Sequence, residues 1–165
     1  MVIFRSVTIW LLFIVAESLN GVVRILWLEP NLGNVPAHQI SHIISELARP
    51  TPNPGVLSWS ASVSSIFLSA ITLEEICYGL SAKPNSRIQA WFENFLPIYC
   101  QVIPISLEIA KHAGELRGYL KTQGKPRTQA DILIAATAKI HQLTLITRNT
   151  KDFEGCDISI LNPFT

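Results

Sequence analysis

The chain is poor in the features that mark several common protein classes. Three of its 165 residues are cysteine: Cys77, Cys100 and Cys156. They form no C-x-x-C pair and have no histidine at ligand spacing, which argues against a zinc site and a disulfide framework. Three reduced, structural thiols fit a cytosolic protein. Charge is also scarce: Asp, Glu, Lys and Arg make up 15% of the chain and the formal net charge is +1. There is no global basic footprint, so any nucleic-acid contact must come from a local patch. No Gly-rich phosphate loop, internal repeat or low-complexity tract is present. A bilayer span needs about 20 mostly apolar residues. The apolar run Val7–Ala16 has ten, and Glu17 and Arg24 follow it. Arg5 ahead of that run resembles the start of a signal peptide, but no clean small-residue cleavage site follows. The run reads as a helix packed on the domain or a stretch outside the fold, in preference to a membrane anchor or a secretory signal.

A chain of this length is expected to form one domain with a real core. Residues 29–39 hold two Pro, two Asn and a Gly, a linker composition. The boundary is therefore placed between an apolar segment with its linker, residues 1–39, and a compact domain, residues 40–165.

Within the domain, Ile43, Ile44 and Leu47 are spaced for one face of a short helix that the proline-rich stretch 50–54 ends. Val56–Ala61 predicts another, with Trp59 on its buried side. Ile66–Ile71 reads as a buried strand. Thr72-Leu73-Glu74-Glu75 has the capping-box pattern and predicts a helix to about Leu80. A further helix is expected from Pro84 to Pro97, with Ile88, Trp91, Phe92 and Phe95 on one face. Val102–Ile105 reads as a second strand, and Ser106 caps a long helix closed by Gly124. Thr128-Gln129-Ala130-Asp131 is a second T-x-x-acid start, leading into Ile132–His141. Leu143–Thr147 and Ile158–Leu161 complete four strands. Strands alternating with helices, without hairpin signals, predict an α/β fold with a parallel sheet covered on both faces.

In such a sheet the functional crevice lies at the carboxyl ends of the strands. Glu75 and Asp152 each follow a strand end by a few residues, and Asp131 starts a helix near the same edge. Three converging carboxylates would repel unless a hard divalent cation such as Mg²⁺ or Mn²⁺ joined them, and such a site suits phosphodiester hydrolysis. Each acid also has a plain alternative. Glu75 and Asp131 each sit three residues after a Thr cap, where an acid stabilises a helix whatever else it does. Asp152 would serve as an ordinary turn residue.

Taken as an ordered set, several stretches resemble the PIN-domain proteins, and among them the VapC-type toxins of toxin–antitoxin pairs. They are I-S-E-L-A-R-P (44–50), P-N-P-x-V-L-x-W (52–59), F-L-S-A-I-T-L-E-E-I-C-Y-G-L (67–80), A-G-E-L-R (113–117), D-I-L-I-A-A-T-A (131–138), L-T-L-I-T-R-N-x-x-D-F (143–153) and N-P (162–163). The resemblance implies a three-layer α/β/α fold with a short parallel sheet. It implies a Mg²⁺- or Mn²⁺-dependent endoribonuclease with four acids at its site, a cognate antitoxin as partner, RNA as substrate and a homodimer. Carried over by position, Glu75, Asp131 and Asp152 are three of those acids, and Thr147 and Asn149 are the polar residues that help hold the last acid or its water. Lys125, Arg127, Arg148 and Lys151 near that edge are candidates for RNA phosphates, or else a solvated rim.

The departure is at the front. The family opens with an apolar strand ending in Asp-Thr-Asn, and here those positions are Ile40, Ser41 and His42. Ile40 cannot bind a metal, Glu46 is an additional family position and a poor replacement, and Pro36 makes residues 34–39 a poor central strand. Either the first strand has diverged, or the sequence upstream of about residue 42 reflects a wrong frame or start. Both readings imply strongly reduced activity. Two rivals follow: an inactive scaffold that still binds an antitoxin or RNA, and a membrane-anchored form.

Overall fold

In the computed structural model, the residues described are 41–165 without positions 48, 50, 64, 65 and 165. The expectations for residues 1–40, Ile40 among them, lie outside that range.

Two short helices open the described chain. Helix α1 (Ser41–Leu47) buries Ile43, Ile44 and Leu47. Helix α2 (Pro54–Ser62) starts where Asn53 Oδ1 accepts the amide hydrogens of Gly55 and Val56, at 2.9 and 3.3 Å. Pro54 is suited to that first position because it has no N–H to leave unpaired. Val56 packs with Ile43 and Leu47, and Trp59 lies half-buried against them.

Strand β1 (Ile66–Ser69) feeds directly into helix α3 (Ala70–Ala82). The cap is Ser69, whose Oγ accepts the Ile71 amide hydrogen, so the helix begins three residues before the expected Thr72 start. Thr72 instead lies inside the first turn, fully buried. Helix α4 (Ser86–Tyr99) is capped by Asn85 and buries Ile88, Phe92 and Phe95, with Trp91 stacked on Phe95 at 4.9 Å. It does not stop at Pro97. Pro97 and Glu93, the residue four back whose carbonyl loses its partner, are both exposed, so water satisfies that carbonyl.

Strand β2 (Cys100–Ile103) pairs in parallel with β1, Phe67 opposite Gln101 and Leu68 opposite Val102. Helix α5 (Leu107–Thr122) is capped by Ser106 as expected and closed at Gly124, whose φ of 72° suits a residue without Cβ. Helix α6 (Gln129–Ile140) packs along α5 through Ala113, Ala135, Ala136 and Ala138, small residues that let the backbones approach. Between them Ile109, Leu120 and Ile132 are at most 2% exposed, worth about 2 kcal/mol each in burial. Strand β3 (Leu145–Ile146) pairs in parallel with β4 (Ile160–Leu161), and a 3₁₀ turn, Thr150–Phe153, lies between them. Strands β1, β3 and β4 are shorter than the sequence pattern suggests, because apolar residues continue past the last ladder bond, and β2 keeps its expected length of four but starts two residues earlier.

The fold is thus α/β with short parallel pairing, as expected. Among the described residues the strands form two separate pairs, β1 with β2 and β3 with β4. An apolar cavity of about 350 Å³ is lined by residues of both pairs. No helix among the described residues is long and apolar enough to cross a membrane.

Candidate functional site

Asp131 is set by its own helix start. Thr128 Oγ1 accepts the Asp131 amide hydrogen at 3.1 Å, and its hydroxyl donates to Asp131 Oδ2 at 2.5 Å. The expected Thr128 cap is present, and it orients a carboxylate that is 2% exposed.

Glu75 is placed by different means. With the cap moved to Ser69, it is no N-terminal acid but the sixth residue of α3, one turn beyond Thr72 on the same helix face. That removes the helix-capping explanation for its identity. It is buried, and among the described residues neither carboxylate oxygen has a hydrogen-bond partner; the buried Thr72 hydroxyl lacks one there as well. Burial, then the nearby charge of Asp131 and that of Glu74, raise the Glu75 carboxyl to about 7. Two buried carboxylates are therefore brought together from α3 and α6. The sequence reading missed Thr72 as part of this surface, because T-x-x-E looks the same whether the Thr caps or lines.

Asp152 lies on the 3₁₀ turn, half-buried. Asn149 Nδ2 donates to its Oδ2 at 2.5 Å, and the Asn149 backbone N–H donates to Thr147 Oγ1 at 3.1 Å. Thr147 is fully buried, and its own N–H bonds the Leu161 carbonyl of β4. The last strand pair thus fixes Thr147, Thr147 fixes Asn149, and Asn149 holds Asp152. Among the described residues no three acids, histidines or cysteines form a group close enough to hold a metal ion. The structure brings Glu75 and Asp131 together and places Asp152 on a separate, locally braced arm.

The other acids and cations have visible structural work. Glu46 is buried, pairs with Arg49 at 3.0 Å and accepts the Asn53 amide hydrogen at 3.0 Å. It ties α1 to the start of α2. Lys125 and Lys151 are exposed. Arg148 is exposed and lies over the Phe164 ring at 5.2 Å, and half-buried Arg127 reaches the Glu154 carbonyl at 3.4 Å. The apolar cavity is lined by none of the three candidate acids.

A family model, the PIN domain, matches residues 41–157. The chain is 36% identical to toxin FitB of Neisseria gonorrhoeae over 132 residues, covering 75% of this chain and 95% of that protein. It is 35% identical to the VapC ribonuclease Y4jK of Sinorhizobium fredii, covering 75% and 94%. The crystal structure of FitAcB from Neisseria gonorrhoeae superposes with a TM-score of 0.67 at 35% identity, covering 75% of this chain and 95% of that one. VapBC-1 of nontypeable Haemophilus influenzae superposes at 0.60 with 25% identity, covering 67% and 86%. The match over residues 41–157 and these identities show that the chain belongs to the PIN-domain family. Within it, the chain belongs with the VapC-type toxins.

Proposed function

We propose that this chain is a toxin-type, metal-dependent endoribonuclease that cleaves RNA phosphodiester bonds. The observation that carries the reading is Glu75, a buried carboxylate with no hydrogen-bond partner for either oxygen among the described residues, beside the buried Asp131. Such a pair is costly without a cation and fits a hard divalent ion, Mg²⁺ or Mn²⁺. Glu75 and Asp131 would hold the ion, with Asp152 as the third carboxylate presented by Asn149. When bound, the ion would supply Lewis acidity against the scissile phosphate and acidify a water. Asp131 keeps its orientation through Thr128, and Asp152 through the Thr147–Asn149 chain, so both arms are positioned before substrate arrives.

The missing fourth acid sets the expected rate. With Ile40 in the family's first Asp position, the site would offer the ion one carboxylate fewer, and turnover is expected to be low. Lys125, Arg127, Arg148 and Lys151 are the residues to meet RNA phosphates. A toxin–antitoxin complex from Klebsiella pneumoniae superposes on this chain with a TM-score of 0.58 at 29% identity, and the partner proposed here is a small antitoxin protein; a homodimer and a cytoplasmic location are proposed with it.

The test is cleavage of a mixed RNA pool by purified full-length chain, with and without Mg²⁺ or Mn²⁺. Slow, metal-dependent cleavage is expected, raised by Ile40→Asp and lowered about 100-fold or more by Asp131→Asn. The second reading, an inactive scaffold that binds an antitoxin or RNA, rests on Ile40. Absence of cleavage by the chain, with cleavage gained in Ile40→Asp and antitoxin binding retained, would establish it in place of the first.

A further inference from the structure

Three threonines among the described residues are buried: Thr72, Thr137 and Thr147. A hydroxyl that folding takes out of water is expected to find a partner. Two of the three do. Thr137 Oγ1 donates to the Leu133 carbonyl of its own helix at 2.8 Å, a common solution for a threonine inside a helix. Thr147 Oγ1 accepts the Asn149 amide hydrogen at 3.1 Å. Thr128, which opens the other T-x-x-acid motif, uses its hydroxyl twice, accepting from the Asp131 amide and donating to the Asp131 carboxylate. Thr72 is 0% exposed, and its hydroxyl has no partner among the described residues.

The two local uses for that hydroxyl are both passed over. Ser69 already caps α3, so Thr72 has no cap to make. Glu75 lies three residues on and shares its helix face, at a spacing where helical side chains meet. Yet the two do not bond, and both Glu75 oxygens are themselves unpartnered among the described residues. Three buried oxygens thus stand without partners on one face of α3. It is the face that carries Glu75 close enough to Asp131 to feel its charge.

We propose that Thr72 is a positioning residue of the candidate cation site, its Oγ1 accepting a hydrogen bond from a water that the bound ion retains. The inference rests on the reading of Glu75 and Asp131 as that site. A hard divalent ion held by few carboxylates keeps several of its waters. Such a water turns its lone pairs to the ion and its hydrogens outward, so it needs acceptors around it. A further carboxylate could accept, but it would add repulsion to Glu75, which already feels Asp131 and Glu74. A hydroxyl accepts without charge and keeps its own proton for a carboxylate oxygen. Thr72 offers that combination one turn before Glu75. It acts on the ion through water, as residues that orient a metal's surroundings do.

The experiment compares the full-length parent with Thr72→Val, which keeps the shape and removes the hydroxyl, and Thr72→Ser, which keeps the hydroxyl. Each is melted in EDTA and then titrated with Mn²⁺ by calorimetry at pH 8. In EDTA, Thr72→Val should melt at or above the parent's temperature, since it gives up no hydrogen bond made on folding. Its Mn²⁺ affinity should fall about 10-fold, and Thr72→Ser should stay within about 2-fold of the parent. A lower melting temperature for Thr72→Val in EDTA, or failure of that variant to fold, marks a structural hydroxyl and overturns the proposal. So does a loss of affinity in Thr72→Ser as large as in Thr72→Val. Parental Mn²⁺ affinity in Thr72→Val sinks the proposal alone. A parent that binds no Mn²⁺ at all sinks the cation-site reading, and the proposal with it.

Discussion

Glu75 and Asp131 are neighbouring buried carboxylates held in opposite ways. Asp131 receives the hydroxyl of Thr128 and belongs to a helix cap, an arrangement that stabilises α6 whether or not any ligand is present. Glu75 sits mid-helix, beyond any capping role, with both oxygens unpartnered among the described residues and its carboxyl pushed up to about 7. A folding argument accounts for Asp131 and fails for Glu75. Burying a carboxylate without a partner costs stability, which is the ground for the proposed cation site. In that proposal the cap would hold Asp131 in place beforehand, and the uncompensated Glu75 would supply the attraction for the cation. Asp152 stands with Asp131 in this contrast, since Asn149 braces it before any ligand arrives.

Glu75→Gln is the substitution that breaks the contrast most directly. In the metal-free protein the folded-state carboxyl lies near 7, above its ordinary 4.5. Such a group costs nothing at low pH, and its ionisation destabilises the fold as pH rises from about 4.5 through 7. The neutral amide avoids that penalty. Denaturant melts should therefore show Glu75→Gln more stable than the parent by about 2 kcal/mol at pH 8, solvent screening keeping the gain below the full shift, and equal to it at pH 4. Added Mg²⁺ or Mn²⁺ should stabilise the parent at pH 8 and leave Glu75→Gln unmoved. A parent whose stability is flat across that range would remove the asymmetry between the two acids.

A smaller effect is expected on the braced arm. Asn149→Ala frees Asp152 without removing a carboxylate, so Mn²⁺ affinity by calorimetry should fall roughly 10-fold, as for other residues that orient a ligand. Unchanged affinity would mean that Asp152 lies outside the site. The smallest effect is at the cap. Thr128→Ala should cost about 1 kcal/mol of stability at any pH, with or without metal. If it also weakened metal binding as much as Asn149→Ala does, Asp131 would depend on its cap for ligation as well as for helix stability.

The two acids also differ in how they could be read from the chain. The pattern T-x-x-acid occurs at Thr72 and at Thr128, and local chemistry is the same in both. At Thr128 it is a cap. At Thr72 it is not, because Ser69, three residues earlier, already accepts the first free amide hydrogen and the apolar strand has stopped short. Which Ser or Thr wins is decided by where β1 leaves its ladder with β2, a contact between residues more than thirty apart. Pro97 gives the same lesson: a helix continues through a proline when the carbonyl that loses its partner is exposed to water.

By itself, the sequence determined most of the secondary structure and the α/β class, because these rest on periodicity and capping, and the family resemblance named the three acids and the Thr147–Asn149–Asp152 string as candidates. Local spacing carries that information directly. Tertiary structure decided what each acid experiences. Only packing of α3 against α6 leaves Glu75 buried and unpaired beside Asp131, while Glu46, equally acidic in the sequence, is consumed by Arg49 and Asn53. Only the assembled chain brings residues of both strand pairs to line one apolar cavity. Burial and long-range pairing are properties of the assembled chain, and they turn an ordinary set of carboxylates into a candidate site.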